Sequence, residues 1–408
     1  MTGALKIKLR LREEAKEIFG IILRKGPITK GDILDITKMK LSSLNRVMQP
    51  LAAEGLIVES SIGESTGGRK PVLFGVNPKH YYLIGVDISR TYTQMVVTNL
   101  KTDILYEKQF LMDEFSTPQK VVHLISEFID DASRKLSMTK DTTIGIGIGT
   151  VGPLDRIKGI MLNPRNFLTN GWNDFPIRDM VEDRTGLPVT IDNGANTAAL
   201  AEYIHGAGKG FNNIVYINCG VGIRTEAILS GMSVRAINNA EDAFGHMVID
   251  VDGDRCSCGN YGCIECYSSI PSIVKKFASE MKKGRITEIK GVPEKLNYID
   301  VCRAAQSGDQ LAMEVIISAG TILGVGLANY INLLNPEVVI LSGPLIKQSR
   351  LFFETCTDVA SNKCYLKGDS RIHFSRGGFF QDNAIAVGAA ALIIEEVLSK
   401  QFDGGVNK

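Results

Sequence analysis

Apolar residues in the first 60 positions recur at the spacing of helices. Between Glu13 and Lys25 they fall every three or four positions, so one face of a helix is apolar, and Gly26-Pro27 ends the pattern. A short second helix is expected after Thr29, whose hydroxyl can cap it. The pattern predicts a third helix over residues 41–54, which Pro50 is expected to kink or shorten.

Two short strand-like runs follow the third predicted helix and are joined by a polar, glycine-rich turn. The runs occupy residues 56–58 and 69–74, and the turn occupies 60–68. Three helices followed by such a hairpin are typical of a winged helix-turn-helix, which inserts its third helix into the major groove of DNA. Residues 1–78 are therefore predicted to be a DNA-binding domain. The competing interpretation is a helical protein-docking module with a solvated basic face.

Polar and basic side chains on this module are the candidate DNA contacts. Residues on the exposed face of the third helix can bond base edges or phosphates, and basic residues of the wing can reach the minor groove. The predicted DNA-binding residues are Ser42, Ser43, Asn45, Arg46, Arg69 and Lys70. Residues 1–78 carry 13 Lys+Arg against 8 Asp+Glu, whereas the remainder carries 33 against 37. A basic N-terminal segment on a mildly acidic body favours a nucleic-acid partner.

From Tyr81 onward the pattern changes to short, continuous apolar runs separated by helical stretches. Such runs predict buried strands, and their alternation with helices predicts an α/β body. The clearest runs are residues 83–87, 95–98, 143–149, 214–217 and 338–341. A chain of 408 residues is too long for one core, so we expect the body to divide into two lobes. Because no run of about 18 apolar residues occurs, we expect no membrane-spanning segment.

Four potential metal ligands lie close together in the sequence. They are His246, Cys256, Cys258 and Cys263, and the glycines among them allow tight turns. One imidazole and three thiolates form a closed tetrahedral set for a structural zinc ion (Zn²⁺), with no position left for water. Cys266 could substitute for one of the four.

Disulfides or buried thiols are the competing interpretation of this cysteine cluster. The chain begins without an apolar, cleavable leader, so we expect a cytoplasmic protein whose thiols stay reduced. Two cysteines separated by one residue also bridge each other poorly, whereas both can bind one ion. The remaining cysteines are expected to be small core residues, namely Cys219, Cys302, Cys356 and Cys364.

The order of several short motifs resembles the ROK family, which comprises repressors, open reading frames and kinases. In chain order the motifs are Asp87-Ile-Ser-Arg-Thr91, Gly152-Pro-Leu-Asp155, Asn193-Gly-Ala-Asn196 with Glu202, Gly220-Val-Gly222, Gly245-His246, the cysteine cluster and residues 335–343. The resemblance implies a two-lobed α/β fold of the sugar kinase and actin-like type, preceded by the winged helix-turn-helix. It places the first lobe at residues 79–194 and the second lobe, with the zinc site, at 195–380. Residues 381–408 are expected to be a helix that returns to the first lobe, and a frayed tail.

The resemblance also implies where the chemistry of a sugar kinase should occur. Family kinases carry their base as an aspartate directly after an asparagine, but here Gly194 follows Asn193, and a glycine cannot accept a proton. Asp192 is displaced from that position by about 7 Å along an extended segment, which is too far to substitute. Catalysis is therefore not expected.

The two phosphate loops also differ from the kinase pattern. Ser89 and Arg90 replace glycines of the first loop, so their side chains would occupy the space through which phosphates approach the backbone. In the second loop Gly222 is followed by Arg224 and Glu226, and the carboxylate would repel a triphosphate unless Arg224 pairs with it. Alternatively, Arg90 and Arg224 could together bind a phosphate group.

Sugar-binding residues are retained more fully. The resemblance implies that Asn193, His246 and Glu265 bind sugar hydroxyls in the cleft between the lobes, and Asn166 is a further candidate. Ala243 replaces a fourth family ligand, a glutamate. Gly194 and Ala243 stand where family kinases have an aspartate and a glutamate, so two carboxyl groups are lost and leave space. We therefore expect an effector bulkier than a simple hexose or differently substituted, such as an oligosaccharide or phosphosugar. The competing interpretation is that these residues only support the metal.

Together these features predict a sugar-responsive DNA-binding regulator, a repressor, on a kinase fold without catalysis. A homodimer or homotetramer is expected, because two winged helices match a palindromic operator. The partners are then operator DNA and a small sugar or oligosaccharide. Two alternatives stay open: an active ATP-dependent sugar kinase that also binds DNA, and a regulator titrated by a transporter protein.

Overall fold

The computed structural model of the chain describes residues 11–62, 71–164, 167–234, 244–365 and 372–398. These residues form two compact units. The first unit runs to His205 and resumes at Asn383, and the second unit is Gly206–Asp382. Each unit contains a five-stranded sheet with helices, so the predicted α/β class is confirmed.

The N-terminal part of the first unit has three helices and a three-stranded antiparallel sheet. Its elements are α1 (Glu13–Lys25), β1 (Ile28–Thr29), α2 (Lys30–Thr37), α3 (Leu41–Ala53), β2 (Ile57–Ile62) and β3 (Val72–Val76), with the sheet order β1-β3-β2. Thr29 caps α2 as predicted, and its hydroxyl accepts from the backbone N–H of Asp32. α3 continues through Pro50 to Ala53, so the proline removes one backbone donor without ending the helix.

A mixed sheet in the order β10-β7-β4-β5-β6 forms the centre of the first unit's body. β7 pairs in parallel with β4 and β10, whereas β5 pairs antiparallel with β4 and β6. The elements are β4 (Tyr82–Ile88), β5 (Tyr92–Thr98), β6 (Ile104–Leu111), α4 (Pro118–Leu136), β7 (Thr143–Thr150), β8 (Leu154–Asp155), β9 (Ile160–Met161), α5 (Ile177–Thr185), β10 (Val189–Asn193), α6 (Gly194–His205) and α13 (Ala384–Leu398).

Glycines let α13 lie directly against this sheet. An ideal Cβ on Gly147 would be 1.6 Å from the carbonyl oxygen of Ala389, and one on Gly85 would be 1.9 Å from that of Ala386. Any larger residue at these two positions would push the helix away. The opposite face of the sheet packs against α4 and α5.

The second unit has a sheet in the order β13-β12-β11-β14-β15. Its elements are β11 (Ile214–Cys219), β12 (Ile223–Leu229), β13 (Met232–Ser233), α7 (Glu265–Ser268), α8 (Ile270–Lys282), α9 (Tyr298–Gln306), α10 (Gln310–Leu334), β14 (Val338–Ser342), α11 (Pro344–Gln348), α12 (Arg350–Lys363) and β15 (His373–Arg376).

α10 is the core helix of the second unit. An ideal Cβ on Gly324 would be 2.7 Å from the carbonyl oxygen of Cys356, so this glycine permits close packing against α12. Within the described ranges, α10 is also the one helix whose length and apolar composition would let it cross a membrane. Since 61% of its most apolar window is buried inside the protein, these properties are those of a core helix.

The N-terminal elements from α1 to β3, called the winged-helix module below, share one hydrophobic cluster with the body of the first unit, and Ile18 of α1 and Ile394 of α13 both belong to it. Arg24 of α1 also bonds to both carboxylate oxygens of Glu395 on α13, at 3.0 and 3.2 Å. α6 packs against α13, and therefore belongs to the first unit. The predicted start of the second lobe at residue 195 differs from the structure, in which the second unit begins at Gly206.

Candidate functional sites

α3 presents a polar face to solvent. Its buried residues are Leu44, Val47, Met48 and Leu51. Of the predicted DNA contacts, Ser42, Asn45 and Arg46 are exposed and Ser43 is partly exposed, whereas Arg69 and Lys70 lie outside the described residues. The helix can therefore offer polar groups to a nucleic acid without disturbing its packed side.

Lys30, which the sequence analysis did not select, lies beside this polar face. Its Nζ donates a hydrogen bond of 2.7 Å to Oδ1 of Asn45 and lies 5.2 Å from the centre of the Phe74 ring. The only sequence signal for Lys30 was its place at the first position of α2, directly after the Thr29 cap.

Four side chains of the second unit converge as predicted for a metal site. The ligand atoms of His246, Cys256, Cys258 and Cys263 all lie within 4.8 Å of one another. Cys256 Sγ is 3.5 Å from His246 Nδ1, and Cys258 Sγ is 3.8 Å from Cys263 Sγ. Ordinary zinc bond lengths in a tetrahedron place two sulfurs about 3.8 Å apart and sulfur and nitrogen about 3.6 Å apart. The cluster could therefore hold a metal ion.

Tight turns bring these ligands together. Gly259 and Gly262 have φ values of 98° and 67°, in the left-handed region that favours glycine. An ideal Cβ on Gly262 would be 1.6 Å from the carbonyl oxygen of Asp250, so a side chain there would open the loop. The predicted role of these glycines agrees with this geometry.

The surroundings of Cys256 and Cys263 shift the pKa values of their thiols in opposite directions. Burial raises the pKa of the Cys256 thiol, but hydrogen bonds from the neighbouring cysteines outweigh burial and lower it to about 7. Burial raises the pKa of Cys263 to about 12. A bound cation would displace protons from these thiols, because metal ions bind the thiolate form.

Glu265 follows the last of the four potential metal ligands by two residues, and its carboxylate already accepts hydrogen bonds from the protein. Its Oε2 accepts hydrogen bonds from the Ile223 backbone N–H at 2.9 Å and from Arg224 Nη1 at 2.6 Å. Its own backbone N–H donates to the carbonyl oxygen of Gly245, next to His246. The carboxylate is therefore fixed relative to the metal ligands, and its charge is compensated.

Arg224 closes the second phosphate loop. The side chain folds back over the loop, and an ideal Cβ on Gly222 would be 2.7 Å from Arg224 Cζ. Arg224 Nη1 donates to Glu265, 41 residues away in the chain, and to the carbonyl oxygen of Ile223, and Glu226 contacts Ser233 Oγ. A phosphate approaching the backbone of Gly222 would meet the guanidinium first.

Asn193 and Gly194 mark the start of α6 in the first unit. Asn193 is buried, and its Oδ1 accepts from the backbone N–H of Ala195 at 2.9 Å. An ideal Cβ on Gly194 would be 3.2 Å from Ile385 Cδ1. Gly194 therefore offers no proton acceptor, and a side chain at this position would require Ile385 to shift by a few tenths of an ångström.

Asp192 is held in place by its neighbours. Arg156 Nη1 lies 3.2 Å from its Oδ2, and Asn196 Nδ2 donates to its Oδ1 at 2.9 Å. These contacts fix the position of the carboxylate and occupy both of its oxygens.

Asp87 begins the first phosphate loop and is fully buried. Burial raises its pKa to about 7, although a hydrogen bond with Tyr92 acts in the opposite direction, and Oδ2 has no partner among the described residues. Ser89 N–H donates to the Tyr92 carbonyl at 2.9 Å, so the loop is a tight hairpin turn.

The remaining sequence predictions have several outcomes. Asn166 and Ala243 lie outside the described residues. The other cysteines are buried as expected, namely Cys219, Cys302, Cys356 and Cys364. Cys266 is partly exposed and lies outside the group of four potential ligands. Of the predicted sugar ligands, His246 and Glu265 belong to the second unit and Asn193 to the first.

Comparison with known proteins finds a matching family and similar proteins. The sequence model of the ROK family matches residues 83–396. The xylose repressor of Bacillus subtilis is 28% identical over 377 residues, which are 92% of this chain and 94% of that protein.

Two solved structures have a similar fold. A ROK family transcriptional regulator, described as a homologue of the E. coli MLC protein, has a TM-score of 0.76 and 25% identity, and the match covers 95% of this chain and 96% of that one. The ROK hexokinase of Thermus thermophilus has a TM-score of 0.65 and 25% identity, and the match covers 78% of this chain and 99% of that one. The regulator thus matches along nearly all of this chain, whereas the hexokinase leaves about a fifth of it unmatched.

Proposed function

Because the chain belongs to the ROK family, we propose that it is a sugar-responsive transcriptional repressor. The observation that carries this proposal is the match with a xylose repressor over 92% of the chain. The exposed polar face of α3 supports operator DNA as its partner, and that role implies the cytoplasm as its location. Assembly as a homodimer or homotetramer would provide the two winged helices that a palindromic operator needs.

Zinc is the ion that best suits the four-ligand cluster, because three thiolates and one imidazole are a typical structural set. His246 turns Nδ1 toward the thiols, so the ion would fix the ring and leave Nε2 for a sugar hydroxyl. Asn193 and Glu265 are the other proposed sugar ligands, with Asn166 as a further candidate.

This body does not transfer phosphate in our proposal. Gly194 provides no base, and Asp192 is bound by Arg156 and Asn196. In addition, Arg224 occupies the space beside Gly222 that a phosphate group would use. Binding of a sugar would then have one consequence, a change in DNA affinity.

A route from the sugar to the DNA runs through helices of the first unit. Asn193 caps α6, and α6 packs against α13. α13 contacts α1 of the winged-helix module, where Glu395 bonds to Arg24. A sugar that displaces Asn193 would therefore move α6, which packs on α13, and α13 in turn contacts the winged-helix module. The sugar shifts α6 only if its affinity differs between the two positions of this helix.

Enrichment of DNA by the purified full-length protein tests this function. The protein is incubated with genomic fragments, and the enriched fragments are then challenged with neutral sugars, disaccharides and phosphosugars. We expect a few fragments to be enriched and at least one class of sugar to release them. Enrichment of no fragment, or release by none of the sugars, would contradict the proposal. Release only after addition of a transporter protein would favour the titration model.

A further inference from the structure

Lys30 and Asn45 form a pair on the polar side of the winged-helix module. They belong to different helices, α2 and α3, and Lys30 Nζ donates to Asn45 Oδ1 at 2.7 Å. The same ammonium lies 5.2 Å from the centre of the Phe74 ring, within the range of a cation–π contact. A capping box between Thr29 and Asp32 fixes the start of α2, so the backbone at Lys30 is also held in place.

This pair determines which way the amide of Asn45 faces. An ammonium group carries only donors, so the amide must turn its carbonyl oxygen toward Lys30. Nδ2 then has no hydrogen bond to any residue that the structure describes. Asn45 is exposed in the first half of α3, the part of a recognition helix that contacts base edges.

The chemistry of the pair selects one base. A free asparagine reads adenine, because its amide accepts from N6 and donates to N7. With one lone pair of Oδ1 bonded to Lys30, and with the positive ammonium beside it, the pair presents mainly donors, namely the amide hydrogens of Asn45 and the remaining ammonium hydrogens of Lys30. Guanine offers two acceptors, O6 and N7, on its major-groove edge, whereas the amino group of adenine would face a donor. We propose that the Lys30–Asn45 pair reads a guanine in the operator.

This inference rests on the proposed function, because it requires α3 to enter a major groove. It goes further by naming a residue that sets specificity from outside the recognition helix. Removal of the Lys30 ammonium would free Oδ1, and the amide could then turn to read adenine.

Selection from a random duplex library by the full-length protein tests the inference. The Asn45-dependent position is the one whose base preference disappears in Asn45→Ala. Guanine is expected there for the natural sequence. Lys30→Met keeps an apolar chain against Phe74 but loses the ammonium, so adenine is expected instead, with discrimination between the two bases changed by about tenfold or more.

Lys38→Met is the matched control, because Lys38 is exposed at the end of α2 and its replacement removes the same charge. It should keep the guanine preference. A second measurement replaces the selected guanine by 7-deazaguanine, which lacks the N7 acceptor. This change should weaken binding by the natural sequence and leave binding by Asn45→Ala unaffected.

Three results would overturn the inference and leave the proposed function intact. They are a base other than guanine at the Asn45-dependent position, a guanine preference that survives Lys30→Met, and no position that depends on Asn45. Enrichment of no sequence at all would overturn the inference together with the proposed function.

Discussion

Arg224 is the residue that most changes the chemistry of the body. It lies against Gly222 and bonds to Glu265, so one side chain covers a phosphate loop and neutralises a proposed sugar ligand. The sequence revealed the unusual arginine but not its bond to Glu265. Glu226 is two residues away along β12, whereas Glu265 is brought close by the turn at Gly245 and the start of α7. Pairings of this kind depend on tertiary structure and cannot be predicted from spacing.

The Arg224–Glu265 pair is expected to stabilise the second unit. The two side chains are only 22% and 12% exposed, so removal of either partner leaves a poorly solvated charge or hydrogen-bonding group. In a double-mutant cycle of Arg224→Gln and Glu265→Gln, urea unfolding should give a coupling free energy of about 1–2 kcal/mol. The exposed pair Arg285–Glu314 is the control, with a much smaller expected coupling because water screens its charges. Equal coupling in the two pairs would contradict this account.

Asp87 is expected to make the stability of the protein depend on pH. Its pKa rises from 3.8 to about 7 in the folded chain because the carboxyl group is buried. The folded state therefore favours the protonated form, so this group's contribution is fully present below about pH 4 and is lost as the pH rises to about 7. Asp87→Asn should remove this loss. Measured between pH 4 and 8, the free energy of unfolding of the variant should increase relative to that of the natural sequence as the pH rises. A constant difference between the two would refute the raised pKa of Asp87.

At the scale of elements, periodicity predicted some helices well and others hardly at all. α1 is amphipathic, and its predicted bounds of Glu13 and Lys25 are those of the structure. α13 is apolar on nearly every side because it is covered by the sheet, α6 and α1, so it carries no periodic signal. The glycines that let it approach the sheet were visible as strand residues in the sequence, but which helix they face depends on the fold.

Gly388 is expected to be essential for the contact between α6 and α13. An ideal Cβ at this position would be 1.6 Å from the carbonyl oxygen of Thr197, so Gly388→Ala must separate the helices. We expect a loss of about 1–3 kcal/mol or more in the free energy of unfolding. Gly31→Ala is the control: Gly31 lies in α2 with its nearest neighbouring atom at 3.5 Å, and alanine there should be neutral or stabilising. Similar losses in both variants would argue against a special role for Gly388.

At the scale of the whole molecule, the chain combines a winged-helix module, proposed to bind DNA, with a body in which four potential metal ligands converge and two loops differ from the phosphate loops expected of a kinase. The sequence predicted the four metal ligands because they lie within 18 positions of one another and share a recognisable chemistry. It could not predict that α6 belongs to the first unit, since that depends on the packing of a helix from the other end of the chain.

Zinc is expected at one ion per chain. Cys258→Ser should lose the ion and lower the melting temperature, because the loop from His246 to Cys263 would lack its cross-link. Cys266→Ser should keep the ion, since Cys266 is outside the group of four. Metal analysis of the purified proteins with thermal melting, before and after a chelator, measures both effects. A full complement of zinc in Cys258→Ser would show that the ligand set is wrong.

In our proposal, the body converts sugar binding into DNA release and not into a phosphorylated product. The most direct measurement mixes the full-length protein, its selected operator, the effector sugar, ATP and Mg²⁺ in one sample. Operator release is followed by fluorescence anisotropy, and the sugar is then recovered and weighed by mass spectrometry. We predict release of the operator with the sugar recovered unphosphorylated. Phosphosugar that accumulates with time and protein concentration, or an operator that stays bound at saturating sugar, would contradict the account.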